Sequence, residues 1–249
     1  MAARLPSLSF FFPAYNEEGN VEAVVRDALA TLPRFADDIE VIIVDDGSRD
    51  RTPQVADALA ASDPRVRVIH HPKNRGYGGA VRSGLGASAK AFIFYTDGDR
   101  QFHLDDFPKL ADAIDGFDAA IGFRTQRRDP WRRRFTAWVY NRLIRILFGS
   151  TIRDVDCAFK LFRREVFVRA PLEQVRSNGA FFSAEMLLVL RSRGITLREV
   201  PIPHYPRTVG ENTGASVKVT LRAIRDLLRL RLRMWGKHRT SRRGEGRTP

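Results

Sequence analysis

Cysteine is almost missing from this chain. Cys157 stands alone among 249 residues, which excludes an internal disulfide and points to a reducing compartment. No apolar run approaches the roughly 18 residues of a membrane-spanning helix, and the N-terminus lacks the pattern of a signal peptide. The expectation is a protein that is soluble or rests on a membrane surface. A full dinucleotide fingerprint is missing as well. Gly76-Tyr77-Gly78-Gly79 supplies a fragment of one, but it follows the third expected strand and misses the spacing, which argues against an oxidoreductase. No recognisable nucleic-acid motif is present. What the chain does have, 43% hydrophobic and 10% aromatic residues, is the composition of a globular protein with a substantial core.

The net charge of +13 is concentrated in two places. Residues 124–145 carry eight arginines against Asp129, and residues 218–247 carry eleven Lys or Arg against Asp226 and Glu245. The rest of the chain is slightly acidic, so each basic patch needs its own account. Candidates are nucleic acid, anionic lipid headgroups, a phosphorylated substrate, or simply an arginine-rich solvated surface.

The first half alternates strands and helices. Leu8–Phe12, Glu40–Val44, Val66–Ile69 and Ala91–Tyr95 read as buried strands, rich in β-branched and aromatic residues. Between them, Val21–Leu32, a segment starting near Asp50 or Thr52, and a segment running to Ala89 have helical spacing. This alternation predicts a mostly parallel sheet flanked by helices, in which ligands bind beyond the carboxyl ends of the strands. The unusual residues fall at those ends: Tyr15-Asn16-Glu17, Asp45-Asp46-Gly47-Ser48, Asn74-Arg75-Gly76 and Asp97-Gly98-Asp99.

The last of these is the most specific. Two carboxylates one residue apart, with a glycine between them for close approach, suit a divalent cation that also holds phosphate oxygens. Taken alone, Asp-Gly is equally ordinary turn chemistry. Its place as the fourth of four such strand ends favours the metal site.

Together these motifs resemble glycosyltransferase family 2, whose GT-A fold is a Rossmann-like three-layer α/β sandwich with a mostly parallel central sheet. The resemblance runs through Phe12-Pro13-Ala14-Tyr15-Asn16-Glu17, Val44-Asp45-Asp46-Gly47-Ser48 with Asp50, Asn74-Arg75-Gly76 and Asp97-Gly98-Asp99. It covers about residues 6–214 and is nearest to the dolichyl- and polyprenyl-phosphate mannosyl- or glucosyltransferase branch. The resemblance implies a nucleotide-diphospho-sugar donor and Mg²⁺ or Mn²⁺ held by Asp97, Asp99 and Gln101. It implies Pro13, Ala14, Tyr15, Glu17, Asp46 and Gly98 around the donor, and Arg75 at its base or a phosphate.

The second half is where such a branch meets a polyprenyl phosphate. Phe117–Arg124 reads as a strand ending in a cation, a basic loop follows over Arg127–Arg134, and a helix is expected from Phe135 to Phe148, closed by Gly149. Arginine's planar fork suits a phosphate monoester, making Arg124, Arg132, Arg133 and Arg134 candidate acceptor contacts. Asp154 and Asp156 occupy a segment where the family carries an acid before a short strand. Transfer to a hydroxyl needs a general base, whereas a phosphate is already anionic near neutrality. These acids therefore stand as a base, as orienting groups for an arginine or the sugar, or as partners in a structural ion pair. Glu185 matches a family acid at the start of a helix for which Ser183 is the expected cap. Arg207 and Gly210 keep the family's Arg-x-x-Gly, but Glu211-Asn212-Thr213 departs from the Ser or Lys that usually follows.

The organisation expected is a GT-A domain over 1–214, a basic amphipathic helix over 215–236, and a basic disordered tail over 237–249. The helix, with Leu221, Ile224, Leu227 and Leu228 opposite Lys218, Arg222, Arg225 and Arg229, suits an anionic membrane surface or the protein core equally. The leading expectation is an inverting, metal-dependent hexose transfer from a GDP- or UDP-sugar to a polyprenyl phosphate on the cytoplasmic membrane face. Alternatives are a family 2 enzyme with a glycan or lipid hydroxyl acceptor and, more remotely, a non-enzymatic nucleic-acid or membrane binder.

Overall fold

The computed structural model describes residues 4–125, 131–149, 152–179, 181–206, 225–227 and 229–231. Seven strands, β1 (Leu5–Ala14), β2 (Ala36–Asp45), β3 (Val66–His70), β4 (Phe92–Tyr95), β5 (Ala119–Thr125), β6 (Lys160–Arg163) and β7 (Leu197–Pro203), form one sheet in the order β3-β2-β1-β4-β6-β5-β7. All neighbouring pairs are parallel except those of β6, which runs antiparallel to β4 and β5. The helices are α1 (Val21–Thr31), α2 (Thr52–Ser62), α3 (Tyr77–Ala87), α4 (Phe107–Ala113), α5 (Trp131–Phe148), α6 (Val166–Arg169) and α7 (Phe182–Ser192).

The chain builds outward from β1 to β2 and β3, then returns to lay β4 on the other side of β1. That reversal leaves a crevice beyond the carboxyl ends of β1 and β4, the topological switch point at which open α/β sheets bind ligands. The segments ending there are Pro13-Ala14-Tyr15 and Thr96-Asp97-Gly98-Asp99.

Strands β1 and β4 can hold this position because they are buried on both faces. Phe10, Phe11, Phe12, Phe94 and Tyr95 are fully buried, and their rings pair across the strands: Phe10 with Phe94 at 5.3 Å and Phe11 with Tyr95 at 5.1 Å between centroids. Such aromatic cross-strand pairs add to area burial. Phe94 also meets Phe107 and Phe159, each at 4.8 Å, which ties α4 and the approach to β6 to the same centre. Helix α1 buries Val21, Val24, Val25 and Ala28, the i, i+3, i+4, i+7 face its sequence predicts.

Two local expectations are corrected. Helix α5 begins at Trp131 rather than Phe135, so Arg132, Arg133 and Arg134 lie in its first turn and not in a loop. Nothing in Trp131–Arg134 opposes helix, since arginine is a good helix former and the proline precedes the run. Helix α7 begins at Phe182 without a side-chain cap, and Ser183 is a buried residue inside its first turn. Of the expected C-terminal helix, residues 225–227 and 229–231 are described and helical. Leu227 and Leu230 are buried there in one apolar cluster with Ile144 of α5 and Leu187 and Leu188 of α7. The remainder of 215–236 and the tail lie outside the described residues.

Candidate active site

The loops at the carboxyl ends of β1, β2 and β3 are stitched together by backbone hydrogen bonds to short polar side chains. The Asn16 N–H donates to Ser48 Oγ at 3.0 Å and Asn16 Oδ1 accepts from the Arg49 N–H at 2.8 Å. Thr52 Oγ1 accepts from the Glu17 N–H at 2.9 Å, and Asp50 accepts from the N–H groups of Glu18 and Thr52. Asn16 and Arg100, one on each side of the crevice, have positive φ values of 56° and 60°, a conformation uncommon outside glycine that persists where surroundings impose it. Gly47 has φ +71°, and a Cβ there would lie 2.7 Å from the Asn74 nitrogen. Only glycine satisfies both the backbone angle and the close approach.

Asp46 is the staple between β2 and the loop before α3. It is buried; Oδ1 accepts from the Arg75 N–H at 2.8 Å and Oδ2 from the Gly76 N–H at 2.9 Å. His71 Nδ1 lies 2.6 Å from Oδ1, and the other ring nitrogen lies 2.8 Å from Ser83 Oγ. A carboxylate so supplied with donors orders a loop strongly.

Beside these loops lies a cavity of about 390 Å³ lined by Tyr15, Asp45, Gly47, Ser48, Arg49, Pro53, His70, His71, Pro72, Lys73 and Asn74. Its size suits a nucleoside. Of the expected donor residues, Tyr15 lines it, whereas Pro13, Ala14, Glu17 and Arg75 do not. Asp46 does not, although the adjacent Asp45 does. Ser48, part of the Asp45-Asp46-Gly47-Ser48 strand end, also lines it, as do His70 and Lys73, which the sequence did not single out. The only sequence signal of His70 and Lys73 was position near a strand end, since neither belongs to a motif with a chemical signature of its own.

Asp97 and Asp99 follow β4 in the crevice. Gly98 is clamped between them, because a Cβ there would come within 2.9 Å of the Pro13 carbonyl oxygen. Burial, then the charge of Asp99, push the Asp97 carboxyl up to about 7, against the Lys160 ammonium and the Tyr77 hydroxyl. Asp97 Oδ1 is buried with no hydrogen-bond partner. An orphaned carboxylate oxygen beside a second carboxylate fits a divalent cation, which would satisfy the oxygen and relieve the repulsion. Among the described residues no group of three or more His, Cys, Asp or Glu is arranged as a metal site, so the pair offers two ligands of its own. Gln101 is close by: its N–H donates to Asp99 Oδ1 at 3.1 Å, and its side-chain amide donates to the Tyr205 carbonyl at 3.1 Å. Tyr205 returns a bond from its N–H to the Gln101 carbonyl at 2.9 Å. This pairing brings the segment after β7 onto the Asp97–Asp99 loop.

On the far side, Arg124 near the end of β5 and Asp154 form a two-pronged ion pair, Nε to Oδ2 at 2.7 Å and Nη2 to Oδ1 at 2.8 Å. The side chains are 16% and 8% exposed. Burial opposes the guanidinium charge, but the bonds and charge of Asp154 overcome it and raise the Arg124 pKa. Asp156 adds a weaker attraction to the same guanidinium. Glu185 is fully buried in the first turn of α7 and accepts from both the N–H, at 2.8 Å, and the hydroxyl of Ser177. It therefore shapes the loop before α7. Cys157 is buried, and burial, then Asp154, push its thiol up to about 12, which makes it unreactive. The side chains of Arg132, Arg133 and Arg134, and the whole of Arg207, lie outside the described residues.

A mostly parallel sheet with paired carboxylates at its switch point and a cavity of nucleoside size nearby defines an α/β architecture built to bind a ligand beyond its strand ends. Residues 9–169 match the family model of Glycosyl transferase family 2. The glycosyltransferase AglD of Haloferax volcanii is 34% identical over 229 residues, spanning 89% of this chain and 35% of that protein. The polyprenol monophosphomannose synthase of Mycolicibacterium smegmatis is 33% identical over 208 residues, 80% of this chain and 77% of the relative. The solved structure of glucosyl-3-phosphoglycerate synthase from Mycobacterium tuberculosis, with Mn²⁺, UDP and phosphoglyceric acid, shares the fold at a TM-score of 0.70 and 18% identity, over 91% of this chain and 78% of that one. The chain belongs to glycosyl transferase family 2, and it is a glycosyltransferase with the GT-A fold.

Proposed function

We propose that this enzyme transfers a hexose, with inversion, from a GDP- or UDP-sugar to a polyprenyl phosphate. The observation that carries the reading is the placing of two opposite chemistries at neighbouring strand ends. A carboxylate pair follows β4, and a buried arginine fork lies near the end of β5, with only β6 between those strands. The relatives named for polyprenol phosphate chemistry support the acceptor.

In this reading Tyr15 and the cavity beside β2 hold the nucleoside, and the Asn74-Arg75-Gly76 loop, fixed by Asp46, flanks the diphosphate. Asp97 and Asp99, with Gln101, would hold Mg²⁺ or Mn²⁺, which supplies Lewis-acid neutralisation of the departing nucleoside diphosphate. An acceptor phosphate oxygen attacks the anomeric carbon as the bond to the diphosphate oxygen breaks. The acceptor arrives anionic, so no side chain removes a proton. Asp154 then serves as the group that orients Arg124; acting as a base would require breaking its ion pair. Arg124, with Arg132, Arg133, Arg134 and Arg207, supplies the positive charge for the acceptor phosphate.

Among the described residues no helix is long and apolar enough to cross a membrane. A polyprenyl acceptor nevertheless places the enzyme at a membrane surface, on the cytoplasmic side where nucleotide sugars are found. Transfer of labelled hexose from GDP-mannose, GDP-glucose or UDP-glucose to a short-chain polyprenyl phosphate in detergent tests the proposal. Product should form with the phosphate and not with the free polyprenol, and should vanish in chelator. Equal transfer to a soluble glycan or a free hydroxyl would replace it with the hydroxyl-acceptor reading.

A further inference from the structure

His70, the last residue of β3, lines the nucleoside-sized cavity and has each ring nitrogen against a carboxylate. Nδ1 lies 2.9 Å from Asp45 Oδ2 of β2, and Nε2 lies 3.0 Å from Asp57 Oδ1 of α2. Ionised carboxylates accept only, and a neutral imidazole has one N–H to give. The geometry as found is therefore that of the imidazolium, which donates to both.

The two acids differ in setting. Asp57 is 66% exposed, while the Asp45 side chain is 3% exposed. Asp45 Oδ1 accepts from the Ser48 N–H at 3.0 Å, and its backbone carbonyl accepts from the His71 N–H at 2.9 Å. Asp45 is thus a fixed wall of the cavity whose second oxygen depends on His70. The other charged groups lining the cavity are Arg49 and Lys73, with the Tyr15 hydroxyl and the His71 ring as further titratable groups. Asp46 pairs with the neighbouring His71 instead.

We propose that His70, as the imidazolium, is a positioning residue of the donor site: it clamps Asp45 to α2 and offsets acidic charge at the cavity, so that nucleotide affinity falls as His70 loses its proton. The inference rests on the donor-site reading above. Asp45, then Asp57, raise the His70 pKa above 6.5, against burial. The sign follows directly. Below about 6.5 the clamp is complete, and it is lost as the pH rises through the raised value. Loss of the proton removes one of the two charge-assisted bonds and leaves two acids facing one neutral ring.

The test is calorimetric titration of UDP and of GDP, each with Mg²⁺, into the full chain at pH 6.0, 7.0 and 8.5, for wild type, His70→Gln and Asp57→Asn. Because the nucleotide's own phosphate titrates in this range, the readout is the ratio of variant to wild-type Kd at each pH. For His70→Gln it should be about tenfold at pH 6.0, the worth of one charge-assisted bond, and should close towards unity as the pH passes the His70 pKa read by NMR. In ¹³C NMR the His70 ring should titrate above 6.5 in wild type and at lower pH in Asp57→Asn, which leaves the buried carboxylate in place. A ratio independent of pH, or a His70 ring titrating at or below 6.5, overturns the proposal while leaving the donor site intact. Failure of both nucleotides to bind at any pH overturns this proposal and the donor-site reading together.

Discussion

Replacing one member of the Arg124–Asp154 pair separates its structural role from its chemistry. Both side chains are largely buried, and the carboxylate takes two guanidinium bonds at 2.7 and 2.8 Å plus the Arg124 N–H at 3.2 Å. Asp154→Ala leaves a guanidinium in a low-dielectric site without its partner, which costs about 3–5 kcal/mol of folding stability. Arg124→Met removes both guanidinium bonds from the buried carboxylate and should also lower stability. The double variant Arg124→Met/Asp154→Leu strands neither group, and its apolar replacements recover most of the loss, to within about 1 kcal/mol of wild type. Urea unfolding followed by tryptophan fluorescence measures all four proteins. The activity assay should diverge from this pattern, with the refolded double variant inactive towards polyprenyl phosphate because its acceptor cation is gone. Additive single-site losses would refute the buried-pair reasoning. Full transfer by the stable double variant would remove Arg124 from the acceptor site.

Asp97 sets a pH dependence of the metal-free protein. Its folded pKa, about 7, lies above the unfolded value near ~3.9, so the folded state holds the proton longer and stability in chelator should fall as the pH rises from about 4 to about 7. Asp97→Asn should flatten that slope in denaturation curves taken in EDTA and lower hexose transfer by at least roughly 10³-fold, the scale of losing a principal electrostatic group. Gly98→Ala forces a methyl against the Pro13 carbonyl and should cost about 1–3 kcal/mol of stability by thermal unfolding, with a larger proportional fall in kcat than in donor affinity. Cys157 should resist a thiol reagent such as DTNB at pH 8 in the native protein and react at once in denaturant, since its thiol is buried and pushed up to about 12; rapid native labelling would contradict its burial.

Much of the first half of the chain is legible in the sequence. The runs Phe10-Phe11-Phe12 and Phe92-Ile93-Phe94-Tyr95 can only be buried strands, and each ends in polar residues whose chemistry reads directly. The second half is less so. Arg124 and Asp154 are 30 positions apart, and their pairing depends on β6 running back between β4 and β5, which no local pattern announces. Ser183 resembles a cap but is buried, because the first two turns of α7 are buried on every side and the helix is entered without a side-chain cap. The cavity beside β2 shows the same limit. Asp45 and Asp46 are equivalent in sequence, yet successive residues at a strand end point in opposite directions. One therefore faces the cavity, while the other turns to the loop before α3.

By itself, then, the order of residues determined the α/β class and the family and singled out Asp97-Gly98-Asp99 as the candidate centre, because strand periodicity and motif chemistry are local properties. Only the tertiary structure decided that this motif lies at the β1–β4 switch point with an unpartnered Asp97 oxygen, that Asp154 holds Arg124, and that His70 bridges Asp45 and Asp57. Those facts arise from long-range strand order and burial, which set the distance between charges and the cost of leaving one alone.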